Sequence, residues 1–494
     1  MRIYIAFLGI VCLLFSCTNS ENEIPETPSK DNWQKEAIAF LSNETNLLSF
    51  GVIDLDELLK KAIYDSKLSE SGLVPLDMIE DYTKVIYTEL PIYYSVQSNL
   101  KGGITSPEVL VVGKIKNVDL VIEAIKKDFQ IGEVIEENGV KYLFENDIKI
   151  GLTQNEIIVF ISENKNNKDA KLAIQNTIDG LKSKKTNSEI AKAIGAKEDF
   201  TFALNVEQIQ RAIASLMSNK VLESNKIVKG TVALHVSFEK GRIVLTNKNY
   251  LPKELIASNL FAKNSKEMLN KLGAGSPIAA ITLAIDMKGV EKFQKQYLPK
   301  SISNSIQDSN LDPDIKNLVP RELSVIEALL QKDGLQEYTD GNLAYGEYLI
   351  DGKYTEYSAY MGIGPGLEEV LKNEFYPITG FLHSLKIDET QIALYSSEQN
   401  GPQNNTNTLQ LRPQFKDLGK KPISAFFDIE RHPYKELLIN NKTSERIVGL
   451  LKHMTLNADL SEGKLIITMK DEQTNAMTQI ANLIPSIVLE SIFQ

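Results

Sequence analysis

Cysteine is nearly missing from this chain: Cys12 and Cys17 are the only two in 494 residues, both close to the start. Everything after Cys17 can form no internal disulfide, and thiol catalysis and cysteine-ligated zinc are excluded there. Tryptophan occurs once, at Trp33, where outer-membrane glycan binders usually offer several exposed aromatic faces. The four histidines, His235, His383, His432 and His453, are scattered without metal-ligand spacing, and no HExxH occurs. Positive charge is in deficit, with a formal net charge of −11, which argues against nucleic acid and against adhesion to anionic lipid. No second long apolar run follows the first. What remains is ordinary for a globular body with a real core: 43% hydrophobic and 24% charged residues.

The one long apolar run opens the chain. Arg2 is followed by Ile3 to Phe15, then Ser16 and Cys17. A short positive start, an apolar segment well below the ~20 residues of a spanning helix, and a small residue before a cysteine are the pattern of a bacterial lipoprotein signal. The implied chemistry is diacylation of the Cys17 thiol, cleavage before it, and acylation of the new α-amine. Phe15 is bulkier than the residue normally found beside that cysteine. The stretch from Thr18 to Lys30, rich in Ser, Asn, Glu and Pro, reads as a disordered tether. The interrupted acidic patch Ser20-Glu21-Asn22-Glu23 is similar to the surface-export signals of Bacteroidetes lipoproteins.

An internal repeat organises the rest. Four times an apolar strand ends in Asp or Asn and an amphipathic helix follows. The junctions are Leu47 to Ile53 with Asp54, Phe200 to Leu204 with Asn205, Ala279 to Ile285 with Asp286, and Ser424 to Phe427 with Asp428. The Asx side chain accepts from a free N–H of the first helical turn. Glu57 and Gln208, three residues on, suit a capping box. Leu58, Ile209 and Val290 fall four positions after their caps, on the face turned to the sheet. Pro433 shifts the fourth copy. A cap before an apolar helix is a structural device, so Asp54, Asp286 and Asp428 are not read as catalytic.

Hairpins recur too, through Thr231 to Phe238 with a turn at Glu239-Lys240-Gly241, Leu343 to Ile350 with Asp351-Gly352, and Met454 to Leu460 with Glu462-Gly463. In the first, Val232, Leu234, Val236 and Phe238 form one apolar face, which leaves His235 opposite and exposed. Between the first two strand–helix copies, a strand at Val109 to Val112, a helix from Val118 to Phe129 and a meander with an Asn138-Gly139 turn complete an α+β signature. The expected fold is α+β: two related halves of mainly antiparallel sheets with helices packed on one face. The expected segments are a signal at 1–16, a lipidated tether at 17–32, and halves at 33–265 and 266–494.

These residues carry a resemblance. Leu48 to Lys61, Val109 to Phe129, and Glu136-Glu137-Asn138-Gly139-Val140-Lys141-Tyr142-Leu143 with the meander to Ile161 resemble a family of Bacteroidetes lipoproteins known as domain of unknown function 4836. The resemblance implies an envelope lipoprotein of α+β build. It brings no activity and no catalytic residues.

Chemical motifs are weak. His432 lies near Asp428 and Glu430, the one place where a metal or acid/base site suggests itself. Gly362-Ile363-Gly364-Pro365-Gly366 precedes a helix but lacks the Lys and Ser/Thr of a P-loop and reads as a strand-to-helix turn. Ser162 to Lys165 and Ser237 to Lys240 match SxxK at a loop and a turn, with no KTG elsewhere. The sequence assigns no cofactor, no metal and no catalytic residue. Its single site residue is Cys17, for lipidation. The partners it implies are a membrane, through that lipid, and an unknown envelope protein or polymer. The expected role is a non-enzymatic binding or structural lipoprotein of the outer membrane, facing the periplasm or the cell surface. The rival is a hydrolase of glycans or envelope polymers whose carboxylates, ~5–9 Å apart, are assembled by the fold.

Overall fold

The computed structural model describes residues 28–63, 85–99, 103–128, 133–145, 147–163, 166–195, 198–216, 227–253, 260–269, 271–272, 277–297, 338–350, 354–364, 367, 384–387, 391–395, 415–433, 435–439 and 441–483. The chain forms two compact units. The first comprises 1–212, 231–238 and 477–494, and the second 213–230 and 239–476. The boundary expected at 265/266 falls inside the second unit.

The first unit opens with α1 (Lys30–Asn43), which starts inside the stretch expected as tether. Asp31 suits the first turn, and Trp33 reaches the core. Nine antiparallel strands follow: β1 (Leu47–Ile53), β2 (Ile92–Asn99), β3 (Gly103–Lys114), β4 (Ile135–Glu137), β5 (Val140–Glu145), β6 (Ile148–Leu152), β7 (Glu156–Ile161), β8 (Phe200–Asn205) and β9 (Thr231–Glu239). Their spatial order is β9-β8-β1-β2-β3-β7-β6-β5-β4. Between them run α2 (Leu55–Ile63), α3 (Val118–Asp128), α4 (Asn167–Leu181), α5 (Ser188–Ile194) and α6 (Val206–Leu216).

The α+β class holds, and this unit has a third layer, because helices cover both faces of its sheet. On one face Ile53, Tyr94, Val111, Leu152 and Val159 form a core with Leu58 and Leu59 of α2 and Val121 of α3. On the other, Gly151 leaves room for Ile174 of α4, where a Cβ would collide. There too Trp33 of α1 packs edge-on against Tyr93 at 5.7 Å and donates to the Pro91 carbonyl at 2.7 Å. The β4–β5 turn is as expected: Asn138 and Gly139 both take positive φ, 54° and 75°, as a two-residue hairpin requires.

The second unit repeats part of that connectivity. Its strands are β10 (Arg242–Tyr250), β11 (Ala279–Ala284), β12 (Thr339–Ile350), β13 (Tyr354–Ile363), β14 (Ser384–Ile387), β15 (Gln391–Tyr395), β16 (Ile423–Asp428), β17 (Leu451–Ala458) and β18 (Glu462–Met469). The order is β10-β18-β17-β16-β11-β12-β13-β15-β14, again antiparallel throughout. Helices α7 (Lys266–Leu269), α8 (Met287–Tyr297), α9 (Lys442–Leu450) and α10 (Ala476–Ala481) accompany it, α10 ending in the first unit. The core joins Met268, Leu269 and Leu272 to Ala280, Ala344, Tyr360, Phe415, Leu418 and Phe426. Among the described residues no helix is long and apolar enough to cross a membrane.

Three of the four Asx residues cap the helix expected after them, and Asp428 makes the same kind of bond without one. Asp54 accepts from Glu57 N–H at 3.2 Å, Asn205 from Gln208 at 3.2 Å, Asp286 from Lys288 at 3.0 Å, and Asp428 from Arg431 at 2.9 Å. The full capping box at Asp54 is not made, because its own N–H donates to the Asp199 carbonyl at 3.0 Å. After Asp428 the chain forms no α-helix but a 3₁₀ turn at Lys435–Leu438, since Pro433 has no N–H to continue one. Two hairpin turns also differ. Ile350 pairs with Tyr354, leaving three connecting residues, 351–353, which lie outside those described. Between β17 and β18 the turn belongs to Asp459, whose carboxylate accepts from Ser461 and Glu462 N–H, while Gly463 lies within β18 opposite Ala458.

His235 corrects a further expectation. It is 2% exposed, and its Nδ1 lies 3.0 Å from Thr201 Oγ1. Thr201, Val52 and Tyr93 form one row across β8, β1 and β2, and Tyr93 meets Trp33, so this row underlies α1. Where helices cover both faces, the smaller and polar side of β9 is the closely packed one, and its larger aliphatic side is half-buried.

Candidate functional site

Cys17, the single site residue assigned from sequence, lies outside the described residues. The chain after it joins the folded body at Lys30, at one end of the first unit's sheet. Lys30 Nζ pairs with Asp54 at 3.0 Å, where β1 finishes and α2 begins. The ladder register brings the start of β2, the end of β3 and the start of β7 and β8 to that same end. The joint is strongly fastened. The buried Lys114 ammonium lies 4.7 Å from the Trp33 ring centroid and pairs with Glu36 at 2.9 Å and Glu156 at 2.7 Å. Such a desolvated cation is tolerable only with partners of this kind. Burial pulls the Lys114 pKa down, but the two carboxylates outweigh it and hold it above the usual lysine range.

Next to this joint, Lys61 pairs with the buried Asp199 at 2.5 Å, and Phe238 N–H donates to the other Asp199 oxygen at 2.6 Å. Thr478, from the C-terminal part of the chain, donates to the Lys61 carbonyl at 2.5 Å. Lys30, Lys61 and Lys114 at this end are thus each paired with a carboxylate. Trp33 is wholly buried and offers no exposed face.

In the second unit the trio suggested by sequence does not assemble. Asp428 turns to Arg431 Nε at 2.6 Å, and Glu430 lies 4.0 Å from Lys470. His432 instead stacks on Phe427, centroids 4.5 Å apart, and sets Nε2 3.4 Å from Glu347 Oε2. Glu347 and Phe427 pair with Ala279 from its two sides, and the small side chain between them allows the approach. Tyr345 donates to the same Glu347 oxygen at 3.5 Å, and burial, then the Glu347 charge, pushes its hydroxyl up to about 12. This is a half-buried acid–imidazole–phenol cluster that can hold a proton or a hydrogen-bonding group. Among the described residues no three His, Cys, Asp or Glu converge as a metal would need.

The other motifs resolve simply. Leu367 N–H donates to the Gly364 carbonyl at 3.1 Å, a turn bond, and Gly362 is needed because the Asp340 carboxylate lies where a Cβ would stand. Ser162 is buried with its carbonyl on Lys149 Nζ at 3.2 Å, and Ser237 Oγ donates to Glu198. Lys165, the lysine of the first motif, lies outside the described residues.

Residues 85–321 match the family described as domain of unknown function DUF4836. The matched segment runs from just before β2 to beyond α8, a little under half of the chain, and so takes in parts of both units. No curated protein matches. Among solved structures the chain is similar to three crystal forms of TP0453. Form III has TM-score 0.27 and 9% identity, covering 43% of this chain and 78% of that one. Form IV has TM-score 0.27 and 8% identity over 43% and 79%, and form I has 0.26 and 10% over 44% and 78%. Likeness of that degree carries no argument about function.

Proposed function

We propose that this protein is a lipid-anchored component of the bacterial cell envelope, held in the outer membrane through Cys17, whose folded units bind another envelope protein or polymer and catalyse nothing. The observation that carries it is the pattern from Met1 to Cys17: one basic residue, an apolar run of signal length, and a small residue before the cysteine. Three acyl chains on one residue, two through the thiol and one on the α-amine, make attachment durable, since each buried methylene contributes ~0.8 kcal/mol. The match over 85–321 supports the resemblance to domain of unknown function 4836. The non-catalytic reading is supported by the work its polar residues already do: Asp54, Asn205 and Asp286 cap, Asp428 makes the same kind of bond, and Lys61 and Asp199 pair with each other.

Growth with radiolabelled palmitate tests the anchor. The native chain is expected to carry label and sediment with outer membranes, and Cys17→Ser to lose both. An unlabelled native chain recovered from the cytosol overturns the reading.

A further inference from the structure

We propose that Asn138 is a site of spontaneous chemical modification. Its carboxamide is lost as ammonia through attack by the Gly139 backbone nitrogen, and the tip of the β4–β5 hairpin acquires an isoaspartate or an aspartate. The site lies within the first unit and is independent of the lipid anchor.

The residue pair supplies the chemistry. The nitrogen of the residue after an asparagine can close a five-membered ring on the asparagine Cγ. A side chain on that next residue obstructs the approach, and glycine has none. Asparagine precedes glycine twice in this chain, at Asn138-Gly139 and Asn400-Gly401, and the second pair lies outside the described residues. A Cβ on Gly139 would meet nothing within 4 Å beyond its chain neighbours, so no packed group has to give way as the ring closes.

The hairpin sets the pace of the reaction. Asn138 is the one non-glycine residue with positive φ among those described, at 54°. The pairing of Glu137 with Val140 holds both turn residues in that conformation. Ring closure requires the Asn138–Gly139 peptide to rotate out of the turn, so the reaction waits on local opening. Strand β4 makes opening easy: it is the last strand of its sheet, and all three of its residues, each paired with β5, are exposed. The surface pair of Lys171 with Glu137 at 2.6 Å adds little to its hold.

The step needs water and no oxidant or cofactor. The Gly139 amide nitrogen gives its proton to solvent and bonds to Asn138 Cγ. The Cγ–Nδ2 bond breaks, and the NH2 group takes a proton from solvent and leaves as ammonia. Water then opens the succinimide. Attack at Cγ yields aspartate, whereas attack at the Asn138 main-chain carbonyl carbon routes the chain through Cγ as isoaspartate. Either product adds a carboxylate beside Glu136 and Glu137. Aspartate tolerates positive φ and keeps the turn. Isoaspartate lengthens the main chain by a methylene, so Glu137 no longer faces Val140, and β5 is left paired with β6 alone.

The test holds the full-length chain for several weeks at about pH 8 in heavy-oxygen water. Peptide mass spectrometry with electron-transfer fragmentation locates the isotope and separates isoaspartate from aspartate. Conversion at 138 is expected to exceed that at Asn155 by at least tenfold, with heavy oxygen in each converted residue. Asn155 is exposed in the β6–β7 turn but precedes Glu156. In urea, where the hairpin is absent, conversion is expected to be about tenfold faster, and Gly139→Ala to slow it about tenfold. The isoaspartyl fraction is expected to exchange its β4 amides faster than unconverted chain, and Asn138→Asp to leave them unchanged. Equal conversion at 138 and 155 in the folded chain overturns the proposal, as does a Gly139→Ala chain that converts at the native rate in urea. Conversion no faster in urea than in the folded chain overturns the control by the hairpin, and unchanged exchange in the isoaspartyl fraction overturns the loosening of β4.

Discussion

Five strands of each unit, β9-β8-β1-β2-β3 and β17-β16-β11-β12-β13, share one connectivity, and the two units treat one sheet face in opposite ways. In each, a strand–Asx–helix element (β1, β11) lies centrally, with a second such strand (β8, β16) on one side and a hairpin (β2–β3, β12–β13) on the other. In the first unit, the face bearing Ile53 and Tyr94 is sealed by α2 and α3. On the corresponding face of the second, Ile281 in the central strand is 44% exposed and Leu343 beside it 36%. The opposite faces agree closely: Thr201 Oγ1 meets His235 at 3.0 Å across β8 and β9, and Ser424 Oγ donates to Asn457 at 2.7 Å across β16 and β17. A duplicated fold thus keeps its small, polar, closely packed layer in both copies, while the bulky aliphatic layer is free to diverge. Burial of small side chains under helices tolerates little change in volume, whereas aliphatic residues repack more readily.

The comparison breaks most readily at Trp33. Trp33→Ala should destabilise the first unit by about 3–5 kcal/mol, since it leaves a cavity, an unbonded Pro91 carbonyl and a weakened hold on Lys114. Amide exchange should quicken in β1 to β3 and change little in β11 to β13. Equal acceleration in both sets would show that the units do not open separately.

Glu44, at the end of α1, is the next largest. Burial raises its pKa to about 7, against the opposing hydrogen bond from Gln97. The unfolded carboxyl titrates near 4.5, so the folded state holds the proton longer. Stability is fully present below about pH 4.5 and falls as pH rises through 7. Glu44→Gln keeps an acceptor for Gln97 and removes the charge. It should leave stability unchanged at pH 4 and raise it by about 2 kcal/mol at pH 8, read from urea titrations at both values. No gain at pH 8 would mean that Glu44 is well solvated.

The four Asx junctions and the meander were legible in sequence because their signals are local: alternation, an Asx, and Gly139 after Asn138. What escaped is non-local or two-sided. Helices α1, α4 and α5 and strand β2 went unread; Asn166 and Asn187 cap α4 and α5 as Asx residues do elsewhere, but no apolar strand runs directly into either cap. His235 was misjudged because alternation locates two faces without saying which is packed more closely. Glu347 and His432 stand 85 residues apart, brought together only by pairing on both sides of Ala279. The position of Lys30 beside Asp54 likewise needed the fold.

Asp459 offers a smaller and sharper test, in the second unit only. Burial alone would raise its pKa, but Lys421, Ser461 and two backbone N–H groups outweigh that and lower it to about 2. Its stabilisation is therefore present above about pH 4 and is lost as pH falls toward 2. Asp459→Asn retains the turn's acceptor and gives up the pairing with Lys421 at 2.6 Å. Because the carboxylate is partly exposed, the expected loss is about 1 kcal/mol at pH 7, shrinking toward zero near pH 2. The effect should show in exchange of the β17–β18 and β10–β18 amides and leave β8–β9 untouched.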